Sequence, residues 1–283
     1  MTTLSHHREG SGEPLVLIHG LGSRWQLWQP VLPLLRGSFD VVALDLPGFG
    51  ASAAVGAADV GTFADAVTAF AAGAFPHAAT FHVAGSSLGG GVALELGRRG
   101  VARSVTAFAP IGFWGPVSRR WCQVSVTAAR GLGRLARPVL PALAATRLGR
   151  VALFGMFFGH PGRLDPAAAV ADVDALVAAP GFAAARAAFA GHRFPGAGAG
   201  AVAGGGLVAD GSAVAGVGAL GGGVPVTVAW GSRDAILPAF QARRAAGALP
   251  SARHVRLAGC GHLPFSDEPA VCADLIRTTA GAA

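Results

Sequence analysis

Thr80-Phe81-His82-Val83-Ala84-Gly85-Ser86-Ser87-Leu88-Gly89-Gly90-Gly91 is the stretch on which the reading of the whole chain turns. Its first half is a short apolar run that reads as a buried strand, and Val92-Ala93-Leu94-Glu95-Leu96 reads as the helix that follows. Between them lies Gly85-Ser86-Ser87-Leu88-Gly89, a G-x-S-x-G pattern at a strand-to-helix junction. So sharp a turn holds the central Ser in strained backbone geometry with its hydroxyl pointing out. Gly on either side removes Cβ atoms that would collide with neighbouring backbone. The N–H of Leu88 then stands at a helix N-terminus, where the backbone dipole favours a developing negative charge. Ser87 is therefore the candidate nucleophile. In a chain with 43 Gly the pattern also arises by chance, so its weight depends on what surrounds it.

Outward from this elbow, strand-like and helix-like runs alternate. Residues 14–18 form a strand ending in His19-Gly20-Leu21-Gly22, and residues 25–35 repeat at helical spacing. Residues 39–44 form the next strand, closed by the turn-rich Asp45-Leu46-Pro47-Gly48-Phe49-Gly50. A helix is expected over 62–74 with Thr62 as its N-cap, and residues 101–109 form a strand cut off by Pro110. Strand structure resumes at 224–230, followed by a helix over 238–249 and a last strand at 254–257. Ser266-Asp267-Glu268-Pro269 reads as the N-cap and first turn of a terminal helix. Such alternation implies an α/β fold with a mainly parallel sheet covered on both faces, binding ligands at the carboxyl ends of its strands. His19, Asp45, Ser87 and Pro110 fall on that rim.

Two segments break the pattern. Residues 111–195 are Ala- and Leu-rich, punctuated by Pro138 and Pro141, and read as an inserted helical cap whose densest apolar patch is 151–158. Residues 196–223 are mostly Gly, Ala and Val and read as a flexible segment. The core domain is then 1–110 together with 224–283.

A Ser hydroxyl needs a base within hydrogen-bond reach, itself oriented by a third group. Of nine His, His262 follows the last strand in the loop Gly259-Cys260-Gly261-His262, on the rim. His6 and His7 lie in a polar tail, His77 and His82 at the elbow strand, His160 and His192 in the cap, and His254 begins a strand. Asp234, just past the strand 224–230, is placed to orient the base. Asp45 instead reads as ordering its Pro-Gly turn. The order Ser87, Asp234, His262 is the one expected after a G-x-S-x-G elbow. A second backbone donor for an oxyanion is expected from Leu21, flanked by Gly20 and Gly22, with His19 bracing that loop.

Bulk properties narrow the class. At 283 residues with 52% hydrophobic content, the chain supports one large core. The net charge of +7 raises nucleic-acid binding, but Lys is absent and the Arg pairs 98–99, 119–120 and 243–244 lie in separate segments, so none is expected. Cys122, Cys260 and Cys272 have no disulfide or zinc spacing, and no metal site is expected. The polar start carries no signal-peptide pattern and no run reads as a membrane span, so the chain reads as a cytoplasmic protein.

The pieces Leu17-Ile18-His19-Gly20-Leu21-Gly22, Asp45 to Gly50, Gly85 to Gly90, Trp230-Gly231-Ser232-Arg233-Asp234 and Gly259-Cys260-Gly261-His262 together resemble the α/β-hydrolase superfamily. The resemblance implies an eight-stranded sheet, a helical cap inserted after the sixth strand, and no cofactor. It implies Ser87 as nucleophile, Asp234 as acid, His262 as base, and Leu21 and Leu88 as backbone oxyanion donors. The similar haloalkane dehalogenases and epoxide hydrolases use Asp as nucleophile, which Ser87 argues against. Three readings follow: hydrolysis of a small apolar carboxylic ester, C–C bond hydrolysis of a vinylogous diketone by the same triad, or a ligand-binding protein without catalysis. The partner in each is a small molecule.

Overall fold

The computed structural model describes residues 4–54, 56–195, 208–209, 218–220 and 223–283. Apolar runs supply the sheet: β2 (Glu13–Ile18), β3 (Phe39–Leu44), β4 (Phe81–Ser86), β5 (Ala102–Phe108), β8 (Val224–Gly231) and β9 (Arg253–Leu257). Strands covered on both faces read as continuous hydrophobic sequence, and β4 is buried at every position. The polar start adds β1 (His6–Gly10), antiparallel to β3. Two short strands, β6 (Val208–Ala209) and β7 (Gly218–Leu220), come from within the Gly-rich segment. The order is β1-β3-β2-β4-β5-β8-β9-β6, with β7 antiparallel on β8, β1 antiparallel on β3, and the other neighbours parallel. The described sheet thus has nine strands, seven of them five residues or longer, in the expected mainly parallel arrangement. The flexible reading of 196–223 otherwise lies outside the described residues.

Side-chain alternation along these strands builds two cores. Val16, Ile18, Val42, Leu44, Val83 and Val105 face one layer, packed with α2 (Val60–Ala74) and α3 (Leu88–Arg98). Leu15, Leu17, Val41, Ala43, Phe108 and Leu257 face the other, packed with α1 (Leu32–Leu35) and the C-terminal α10 (Pro269–Ala280). Helices therefore cover both faces. The last helix before α10, α9 (Gln241–Ala248), is shorter than the 238–249 expected, with Pro238 preceding it as a turn.

Local readings change at three places. Residues 25–35 are not one helix but a 3-10 turn at Trp25–Trp28 and the short α1, because Pro30 and Pro33 interrupt the hydrogen-bond ladder. Helix α2 starts before Thr62: Asp59 is the N-cap, accepting from Thr62 N–H at 2.9 Å, and Thr62 Oγ1 donates back to it. Asp is the stronger cap, and its position three residues earlier sets the start. The terminal α10 has Glu268 at its N-cap with no side-chain bond, and Asp267 is engaged elsewhere.

Among the described residues, five helices lie between β5 and β8: α4 (Pro116–Ala136), α5 (Leu140–Ala145), α6 (Arg147–Phe154), α7 (Pro166–Ala178) and α8 (Phe182–Gly191). They follow the fifth strand of the chain, where the resemblance implies an insertion after the sixth. Among the described residues no single helix is long and apolar enough to cross a membrane.

Candidate active site

Strand registers bring the carboxyl ends of the central strands to one rim. Ile18 pairs with Gly85, Ser86 with Phe108, Phe108 with Ala229, and Gly231 with Leu257. The loops leaving these ends carry the candidate residues.

Ser87 joins β4 to α3 with φ 55° and ψ −112°. It is one of two non-Gly residues at positive φ among those described, the other being Ala109 just past β5. Left-handed backbone of this kind is costly for a residue with a Cβ and persists only where the surroundings over-determine it. Here its N–H donates to Phe108 C=O at 2.9 Å, and its C=O accepts from Gly91 at 3.0 Å and Ile111 at 3.1 Å. The flanking glycines are sterically required: a Cβ on Gly85 would stand 2.1 Å from Gly89 O, and one on Gly89 would stand 2.2 Å from Ile18 O. Ser87 itself is half-buried, while the residues on either side are fully buried.

Asp234 and His262 meet. Asp234 Oδ2 lies 2.8 Å from His262 Nδ1, both side chains are buried, and Asp234 Oδ1 accepts from Ile236 and Leu237 N–H at 2.9 and 2.8 Å. A carboxylate only accepts, so Nδ1 carries the proton and Nε2 is left with its lone pair. Among the described residues His262 makes no hydrogen bond to Ser87 Oγ. Such nucleophile–base contacts are commonly long until substrate binds.

The Leu21 loop lies against Ser87, since a Cβ on Gly20 would be 3.2 Å from Ser87 Cβ and 3.8 Å from its Oγ. Neither Leu21 N–H nor Leu88 N–H donates to another group among the described residues. Two unengaged donors beside a strained Ser can receive an oxyanion. His19 braces the loop: its Nε2 accepts from Leu46 N–H at 2.9 Å and its Nδ1–H donates to Gly20 C=O at 2.7 Å. Complete burial lowers its pKa to about 4, opposed by the Gly20 carbonyl and Asp45, so it stays neutral. Asp45 orders the following turn, accepting from Trp25 N–H at 2.7 Å and Ala51 N–H at 3.0 Å. His82, buried between Ser104 and Glu13, and His254, bonded to Leu249 C=O, have structural partners of their own.

Asp267 is a residue that the local sequence misassigns. It accepts three backbone N–H groups, from Gly159 at 2.8 Å, His160 at 2.7 Å and Gly261 at 2.9 Å. It thereby fastens the segment after α6 to the residue preceding His262, and Leu263 N–H adds a bond to Phe157 C=O at 2.9 Å. The glycines allow the approach: a Cβ on Gly159 would come within 1.8 Å of Gly259 O. An acid just before Pro269 reads locally as a helix start, and no spacing signals partners 108 residues away.

A cavity of about 250 Å³ adjoins this cluster. Its wall includes Leu21, Leu263, Phe154, Phe157, Leu176 and Leu140, so it touches the neighbours of the candidate residues while Ser87, Asp234 and His262 do not themselves line it. No cluster of His, Cys, Asp and Glu suited to a metal occurs among the described residues.

A profile of the alpha/beta hydrolase family matches residues 15–275. The chain belongs to the alpha/beta hydrolase family. Among curated relatives of this chain, pimeloyl-[acyl-carrier protein] methyl ester esterase of Legionella pneumophila (strain Lens) is 49% identical over 43 residues, 15% of this chain and 18% of that protein. The enzyme of the same name from Photobacterium profundum is 37% identical over 121 residues, 40% of this chain and 45% of that protein. The chain thus matches less than half the length of these relatives. A thermophilic esterase from Thermogutta terrifontis shares the fold with a TM-score of 0.68 at 22% identity, over 97% of this chain and 92% of that one.

Proposed function

We propose that this hydrolase cleaves carboxylic esters through Ser87, His262 and Asp234. His262 Nε2 takes the Ser87 hydroxyl proton as Oγ attacks the acyl carbon, and Leu21 and Leu88 N–H groups hold the resulting oxyanion. His262 then gives the proton to the departing alcohol. Water, deprotonated by His262, releases the acid from the acyl-enzyme. Asp234 keeps the imidazole in the productive tautomer and stabilises its cation. The observation carrying this reading is the buried 2.8 Å Asp234–His262 bond on the same rim as the strained Ser87. The activity for which the relatives are named, methyl ester cleavage, supports an ester bond as the target.

Helices α4 to α8 act, in this reading, as the cap over the site. The cavity beneath them favours an uncharged apolar acyl group: among the described residues its lining holds no cation, and Asp172 is its only charged residue. A 150 Å³ apolar cavity accommodates benzene, so this one suits roughly ten non-hydrogen atoms. The test is fluorophosphonate labelling with location of the adduct by mass spectrometry, beside turnover of a p-nitrophenyl ester. Ser87→Ala should abolish both. Near-normal turnover in that variant would refute the assignment, and a wild-type protein inert to large and small probes would point to ligand binding without catalysis.

A further inference from the structure

The helices between β5 and β8 carry a run of exposed apolar side chains, of which Trp121 is held in part by its indole N–H, bonded to Ala235 C=O at 2.7 Å. In α4, Val117, Trp121, Val124, Leu132 and Leu135 are 45–84% exposed. At 3.6 residues per turn they fall within an arc of roughly 80°. The run continues through Val139, Leu143, Leu148 and Val151, 39–83% exposed, on the turn after α4 and on α5 and α6. Scattered exposed apolar side chains are ordinary, but a continuous run of them marks an interaction surface. The adjoining side of α4, at Cys122, Ser125, Val126 and Gly133, is the one buried against the protein.

The charge of this region has one sign. From residue 104 to residue 164 the chain has no Asp or Glu, yet it has Arg at 119, 120, 130, 134, 137, 147, 150 and 163. Among the described residues only Arg137 of these pairs with a carboxylate, Asp174 at 2.9 Å. Arg130 and Arg150 turn inward to backbone carbonyls, whereas Arg120, Arg134, Arg147 and Arg163 are exposed. Arg120 and Arg134 flank the α4 stripe on one side by the same helical geometry.

We propose that this face docks on an anionic lipid surface. Apolar side chains backed by arginines suit the boundary between headgroups and acyl chains, where guanidinium groups reach lipid phosphates while their stems stay with the apolar layer. A second copy of the chain fits poorly: a twofold interface sets the same patch against itself and would oppose arginine to arginine, the neighbouring Asp174 being already paired with Arg137. The face is also continuous with the cavity, since Leu132 of the stripe, Ala128 of α4 and Ala152 of α6 are among its lining residues. If the esterase reading holds, an acyl chain passes from the lipid phase into the cavity without crossing water. The docking itself does not depend on that reading.

Co-sedimentation of the full chain with vesicles tests the proposal without using turnover. The vesicles are phosphatidylcholine alone, or phosphatidylcholine with about one quarter phosphatidylglycerol. Binding is expected to the mixed vesicles, and is expected to weaken in about 1 M salt. Leu135→Asp and Leu148→Asp, at exposed positions outside the cavity wall, should each lower partitioning about tenfold. Both should leave circular dichroism and hydrolysis of a water-soluble short-chain ester unchanged. Absence of binding to either vesicle overturns the proposal, as does binding that neither substitution reduces. A concentration-dependent dimer that Leu135→Asp dissociates, without vesicle binding, would overturn it in favour of a second copy.

Discussion

Asp267→Asn is the substitution with the most to say about how the fold serves the site. In the wild type, Oδ2 accepts from Gly159 and Gly261 N–H while Oδ1 accepts from His160 N–H. An Asn carbonyl can keep the first two partners, but its NH₂ then faces the His160 N–H, donor against donor. Leaving one buried N–H without a partner costs about 1–3 kcal/mol, and turning two charge-assisted bonds into neutral ones costs about 1 kcal/mol each. The sum is about 3–5 kcal/mol, a large share of the roughly 5–15 kcal/mol typical of a domain. Because the clamp holds the residue preceding His262, turnover should fall at temperatures where the variant is still folded. Urea unfolding followed by tryptophan fluorescence gives the stability loss. Ester turnover at 25 °C, on protein shown to be folded by circular dichroism, gives the effect on the site, expected at about tenfold or more in kcat. A stability change under about 1 kcal/mol with unchanged kcat would refute the clamp and leave Asp267 as an ordinary helix-start residue.

Two further outcomes follow from the site. His19 has its pKa lowered to about 4, against about 6.5 unfolded, so the unfolded chain binds the extra proton first as pH drops. Its contribution to stability is intact above about pH 6.5 and declines toward pH 4, by up to about 3 kcal/mol. His19→Gln should flatten that part of the stability–pH curve by a similar amount, and identical slopes in the two proteins would sink the argument. Gly89→Ala sets a Cβ 2.2 Å from Ile18 O and 2.4 Å from His19 O, so the elbow must move. Loss of several kcal/mol and of fluorophosphonate reactivity is expected, and a variant labelled at the wild-type rate would show that the elbow yields more easily than its geometry implies.

The alternation of apolar strands with helices was legible because burying a parallel strand on both faces requires a continuous hydrophobic run, a pattern visible within about six residues. The elbow was legible for a similar reason, since its glycines answer to backbone atoms at most a few residues away or on the adjoining strand. Where neighbours compete, short-range reading failed: Asp59 outcompeted Thr62 as the α2 cap, and Pro30 and Pro33 split a stretch whose apolar spacing looked helical. The polar His6–Gly10 gave little sign of pairing with β3, because an edge strand with alternating exposure lacks the apolar run that marks β4.

Sequence by itself determined the kind of fold and named Ser87, Asp234 and His262, since residue type, order and position after a strand are all one-dimensional properties. Tertiary structure decided what these residues touch. It made Asp234 and His262 a buried pair, left the Leu21 and Leu88 N–H groups unengaged among the described residues, and gave Asp267 partners more than a hundred residues earlier. It also turned one side of α4 outward, although its apolar spacing alone would suit a core. The physical reason is common to all four. Hydrogen bonds and burial are set by which surfaces meet, and chains meet across distances that local periodicity does not encode.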